Sequence, residues 1–217
     1  MLLQELSTTR FRVIEDKSRN IRVVILGDEM TTAIGDTKAL GWVGRVIART
    51  PTENPQIDIY NVPVPGETST SLLDRWNQDV QRRFSADTEN YLVLALGNSD
   101  PIEEISVSRS RLNIATIIDD ARRNDIEVFV VGPTPSFDKA RNYDIEHLAT
   151  GYEDVAKRRS VPFVDLFHPL VDHEGFNAEL EVSSRNMPGQ TGYGLMAWLV
   201  LNRGWFKWLG IEEEDSQ

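Results

Sequence analysis

The feature that most constrains this chain is an alternation. Short runs rich in β-branched and other apolar residues, Ile21 to Leu26, Ile57 to Val62, Tyr91 to Leu96, Ile126 to Val131 and Val161 to Val164, are separated by longer stretches with apolar residues at helical spacing. Three of the runs are nearly unbroken apolar stretches, as parallel strands covered on both faces require. Between them, Leu72, Trp76, Val80 and Phe84 recur every fourth residue, and Ile114, Ile117, Ile118 and Ala121 make a second stripe. A third helix is predicted through His147, Leu148, Tyr152, Val155 and Ala156, and a last one through Tyr193, Met196, Ala197 and Val200 to Leu201. The order βαβαβαβαβα with right-handed crossovers predicts a three-layer α/β/α fold on a flavodoxin-like, five-stranded parallel sheet of order 2-1-3-4-5.

A chain of 217 residues suits one core, expected over residues 21–210. Residues 1–20 fall outside the alternation and are expected to be an extension, and 211–217 an acidic tail. The formal net charge of −11 repels phosphate backbones and anionic headgroups, so neither nucleic acid nor a membrane surface is an expected partner. With no cysteine, disulfides and thiolate zinc sites are excluded, and three histidines are left for base or metal work. Neither a metal nor a cofactor is expected. No long apolar segment suggests export or a membrane span, so a cytoplasmic location is expected.

In an open parallel sheet, ligands bind beyond the carboxyl ends of the strands where strand order reverses. Here that place lies between the first and third strands. Gly27-Asp28-Glu29-Met30-Thr31-Thr32 and Gly97-Asn98-Ser99-Asp100 leave those strands, and Pro63 to Thr68, carrying Gly66, borders the same crevice. Topology therefore nominates Glu29, Gly66 and Asn98 as neighbours. The first loop is expected to lead into a helix whose N-terminus favours an anion.

From about Ile21 to Leu199 the sequence resembles the SGNH or GDSL hydrolase family. The family's G-D-S-L-T block appears as Gly27-Asp28-Glu29-Met30-Thr31, followed by Gly35-Asp36 and Gly41-Trp42-Val43. The glycine of the second block corresponds to Gly66. The G-x-N-D block appears as Gly97-Asn98-Ser99-Asp100, and Gly132-Pro133-Thr134-Pro135 is similar to the family's proline-containing loop. The closing D-x-x-H-P block corresponds to Ser184-Arg185-Asn186-Met187-Pro188, with Gly192-Tyr193 opening the last helix and fixing the register.

On this resemblance the positions of the catalytic serine, aspartate and histidine hold Glu29, Ser184 and Met187. The family mechanism is acyl transfer: a serine oxygen attacks, an imidazole takes its proton, a carboxylate orients the imidazole, and amides hold the oxyanion. Glutamate is no hydroxyl nucleophile, and a thioether accepts no proton at neutral pH. In a serine protease, losing such a triad costs on the order of 10⁶ in kcat. The resemblance leaves the three oxyanion donors in place: the N–H of residue 29, the N–H of Gly66 and the Asn98 amide. The Glu29 carboxylate is expected to fold into this hole as a built-in anion.

The reading is therefore a pseudo-hydrolase whose crevice binds a ligand or partner. Its alternative is an active esterase on acyl or acetylated-carbohydrate esters that uses displaced residues. For that second reading His173, in Asp172-His173-Glu174, and His168 are the histidines to weigh, each against a plain loop-packing role. His147 is expected on a solvated helix face. Asp28, Glu29, Asp36 and Asp100 offer oxygen ligands to a hard cation, but their spacing matches no metal motif, and Asp28 suits a turn. Trp198, Trp205 and Trp208 crowd the C-terminal end, either to cap the core or to present a surface for a protein partner or self-association.

Overall fold

The computed structural model describes residues 19–211, so the extension and tail expected at the two ends fall almost wholly outside the described residues. Five parallel strands form one sheet of order β2-β1-β3-β4-β5. They are β1 (Asn20–Gly27), β2 (Gln56–Pro63), β3 (Glu89–Ala95), β4 (Ile126–Val131) and β5 (Phe163–Val164). The predicted topology is the observed one.

Period-two alternation sorts each central strand between two cores. Val23 and Ile25, Val93 and Ala95, and Phe129 and Val131 face one layer, while Val24 and Leu26, Leu92 and Leu94, and Val128 and Val130 face the other. The first layer contains α1 (Gly41–Ile47) and α8 (Gln190–Val200); the second contains α2 (Ser69–Gln81), α4 (Val107–Arg123) and α5 (Asn142–Arg158). Short helices α3 (Ser99–Ile102), α6 (Phe167–Val171), α7 (Glu174–Val182) and α9 (Phe206–Leu209) complete the described chain. No helix among the described residues is long and apolar enough to cross a membrane.

Three boundaries differ from the sequence reading. The fifth strand keeps only two residues, because Pro162 has no N–H for the ladder and offers only its carbonyl, which accepts from Val130 at 2.9 Å. Helix α2 stops at Gln81, so Phe84 packs from beyond the helix rather than on its stripe. The last helix breaks after Val200 into a π turn over Leu201–Trp205, where Gly204 takes φ +105°.

That π turn carries Trp205 inward. Its side chain is fully buried, its Nε1–H donates to Thr50 Oγ1 at 2.9 Å, and its ring meets Phe129 edge-on at 5.8 Å. Trp208 packs on Tyr91 and Phe129, each at 5.0 Å between ring centroids. A shared aromatic surface made of Trp198, Trp205 and Trp208 is therefore ruled out. Only Trp198 of the three is exposed, at 54%.

Candidate functional site

The loop leaving β1 does not open a long helix. Asp28 caps a single 3₁₀ turn over Glu29–Thr31, its Oδ1 accepting the Met30 N–H at 2.9 Å, and α1 begins only at Gly41. The anion-favouring helix N-terminus expected behind Glu29 is thus absent, since three residues sum too few peptide dipoles. The turn role expected of Asp28 is the one it plays.

Glu29 nevertheless turns across the crevice. Its Oε2 accepts the Gly66 backbone N–H at 2.7 Å, which joins the loop after β1 to the loop after β2. Gly66 holds φ +73° with open space around its α-carbon, so backbone conformation rather than crowding selects glycine there. The loop is braced next door. Buried Glu67 pairs with Arg75 on α2 and accepts from Ser71 Oγ at 2.6 Å, and Thr68 and Ser71 form a reciprocal capping box. The Gly66 N–H is therefore held in place by the first turn of a long helix.

Asn98 caps α3 without using its side chain, and its buried Oδ1 has no protein partner. No hydrogen bond joins it to Glu29 among the described residues. The carboxylate engages the amide of Gly66 and leaves that of Asn98 alone, so one of the three expected donors holds it.

Beneath the crevice lies a layer of buried acid. Asp28 is 1% exposed; burial first, and the Glu29 charge second, push its carboxyl up to about 7. Its Oδ2 lies against Gly97, where a β-carbon would sit 2.1 Å from it, so the loop after β3 runs close to the acid because Gly97 has no side chain. Asp100 accepts the Ser69 N–H at 2.7 Å and faces the Tyr152 hydroxyl at 3.3 Å. Burial, then the Asp100 charge, drives the Tyr152 phenol well above its usual range. Asp28 and Asp100 thus each have a structural duty on the wall of the site. Asp36 does too: the Arg45 guanidinium, with amides of Lys38 and Gly41, holds it down to about 2. Among the described residues no three metal-type side chains gather.

On the far side, Met187 is 5% exposed within the apolar core under α8, and Ser184 lies exposed in the turn before it. A residue that orients an imidazole works from a buried position, which residue 184 does not have. What fixes this loop is Glu179 on α7. Its carboxylate accepts the N–H groups of Gly189 at 2.9 Å, Thr191 at 2.8 Å and Gly192 at 2.7 Å, capping α8 from another helix. Those backbone bonds outweigh its burial and lower its pKa. Glu179 carries no motif, and the one signal for it was the pair Gly189 and Gly192 after Pro188 at a helix start.

All three imidazoles have neighbours of their own. His173 Nδ1 caps α7, receiving the Phe176 N–H at 3.3 Å. His168 sits between Asp165 at 2.8 Å and Glu146 at 3.3 Å, and these carboxylates outweigh its partial burial and raise its pKa. His147 lies on the exposed face of α5, its Nδ1 2.8 Å from the Tyr143 carbonyl. None of the three hydrogen-bonds Glu29.

The profile of the GDSL-like Lipase/Acylhydrolase family matches residues 25–195. Esterase TesA of Pseudomonas aeruginosa is 23% identical over 145 residues, covering 67% of this chain and 70% of its own. The crystal structure of TesA superposes with a TM-score of 0.67 at 19% identity, covering 84% of this chain and 97% of that one. Axe2, an acetylxylan esterase from Geobacillus stearothermophilus, gives 0.66 at 16% identity over 92% and 100% of the two chains. A lipase/acylhydrolase from Enterococcus faecalis gives 0.66 at 20% identity over 84% and 94%. With the strand order and the glycine-bearing loops already in view, the chain belongs to the GDSL-like lipase/acylhydrolase family.

Proposed function

We propose that this protein is a silent member of its family, an esterase fold in which Glu29 serves as an internal anion on an oxyanion amide and the crevice binds a ligand or partner without cleaving it. The observation that carries the reading is the 2.7 Å hydrogen bond from the Gly66 N–H to Glu29 Oε2. A carboxylate there competes with any substrate oxygen for the same donor, and among the described residues no side-chain hydroxyl or imidazole hydrogen-bonds it. Ser184 and Met187, the positions matched to the orienting acid and the base, supply neither a charge nor a proton acceptor. His173 has its Nδ1 engaged as a helix cap, and neither it nor His168 hydrogen-bonds Glu29, which argues against displaced catalysis.

The test is hydrolysis of p-nitrophenyl acetate and butyrate by the purified protein. The expected rate equals that of buffer with an equal mass of an inert protein. Turnover gained by the triple variant Glu29→Ser, Ser184→Asp, Met187→His would support the assignment of the three positions, and because residue 184 lies in an exposed turn the gain is expected to be small. Wild-type turnover that disappears in Glu29→Ala or His173→Ala would establish the alternative, an esterase of acyl or acetylated-carbohydrate esters working with displaced residues.

A further inference from the structure

A second opening lies on the far side of the loop that replaces the family's acid and base. It is a cleft of about 440 Å³, within the range of small-ligand sites, with Ile34 on one wall and Val182, Ser183, Ser184, Arg185 and Met187 on the other. Its lining divides by chemistry. Ile34, Val182 and Met187 are apolar, and Val182 is 85% exposed, a large apolar side chain held in water at the mouth. Arg185 is the one cation of the lining and forms no ion pair among the described residues.

Beside it, Ser183 Oγ accepts the N–H groups of Arg185 at 3.4 Å and Met187 at 3.1 Å, which leaves its own O–H as a donor. The one carboxylate of the lining, Glu179, has its oxygens engaged by three backbone N–H groups, which stabilise its charge without removing it. A single guanidinium with hydroxyl donors suits a monoanion, and the apolar remainder suits a short aliphatic tail.

We infer that this cleft is a binding site for a small carboxylate amphiphile, with its head on Arg185 and the Ser183 and Ser184 hydroxyls and its chain along Ile34, Val182 and Met187. The site shares Ser184 and Met187 with the positions matched to the family's acid and base, but it is read by binding and not by turnover, so its failure and the failure of the silent reading are distinguishable.

The experiment titrates ¹⁵N-labelled full-length protein with hexanoate, hexanol, hexylammonium and acetate, following backbone amide shifts. Hexanoate is expected to shift the amides of residues 34–35 and 182–187 saturably. Hexanol, hexylammonium and acetate are each expected to bind at least about ten-fold more weakly, since each lacks the charge, reverses it or lacks the tail. Arg185→Gln is expected to weaken hexanoate about ten-fold or more. Ser184→Glu, which sets a carboxylate beside the guanidinium, is expected to do the same without altering the folded spectrum. Equal affinity for hexanol and hexanoate, unchanged hexanoate binding in both variants, or no saturable shift up to about 20 mM hexanoate would each overturn the assignment.

Discussion

Among the described residues, two glutamates place a carboxylate on backbone amides. Glu179 gathers three N–H groups at the start of α8, and Glu29 takes one, that of Gly66, across a gap between loops. The first completes a helix end whose donors would otherwise be unpaired. The second brings a negative charge over a buried acid, Asp28, whose own carboxyl is raised partly by that charge. One contact consolidates the fold, while the other is held against local electrostatic repulsion.

The sharpest way to break this contrast is Glu179→Ala. Hydrogen bonds to a charged group are worth about 1.5–3 kcal/mol each, and those sharing one carboxylate are not additive, so a loss of roughly 3–5 kcal/mol in urea unfolding is expected. A loss below about 1 kcal/mol would mean that the loop before α8 is held by something else. Because the folded pKa of Glu179 is lowered, its contribution is present above the unfolded carboxylate value and is lost as pH falls through the folded one. The wild-type advantage over the variant therefore shrinks in acid.

Asp28→Asn probes the opposite sign. A folded carboxyl near 7 against an unfolded value near 3.8 means that its stabilising contribution is complete below the unfolded value and disappears as pH climbs to about 7. Above that, the wild type carries a buried charge. The asparagine keeps the oxygen that accepts the Met30 N–H, so the variant is expected to gain on the wild type by about 2–4 kcal/mol between pH 5 and pH 8. Parallel stability curves for the two proteins over that range would refute the raised carboxyl. Glu29→Gln is a smaller step: it retains an oxygen for Gly66, changes stability by less than about 1 kcal/mol, and lowers the Asp28 midpoint by removing its neighbouring charge. An unmoved midpoint would separate the two groups.

The sheet was readable because both faces of its central strands are buried, so Val23 to Leu26 and Leu92 to Leu94 announce themselves without any tertiary information. The crevice could be placed because strand order alone dictates it. The identity of the loop anchors was hidden for a physical reason. Glu179 reaches Gly189 from ten residues away and Arg45 reaches Asp36 from nine, through loop shapes that no periodicity encodes. The tryptophans misled in a related way: an aromatic cluster in sequence says nothing of direction, and the left-handed Gly204 turns Trp205 into the core while Trp198 stays out. The turn at Glu29 was overestimated as a helix because Met30 to Ile34 is apolar enough to start one, yet Gly35 and the Asp36 loop stop it.

A third carboxylate contact sharpens the comparison by removing burial. His168 bridges Asp165 and Glu146 at the surface, about half of its side chain in solvent. Its folded pKa is raised, so whatever it contributes is complete below the ordinary histidine value near 6.5 and fades as pH rises through the folded one. Water screens both partners, and exposed pairs of this kind are worth at most ~1 kcal/mol. His168→Gln is accordingly expected to cost under ~0.5 kcal/mol at pH 5.5 and nothing measurable at pH 8.5, read from paired urea titrations. A cost approaching that of Glu179→Ala would mean that the number of contacts to a carboxylate, and not its removal from water, sets what such contacts are worth in this fold.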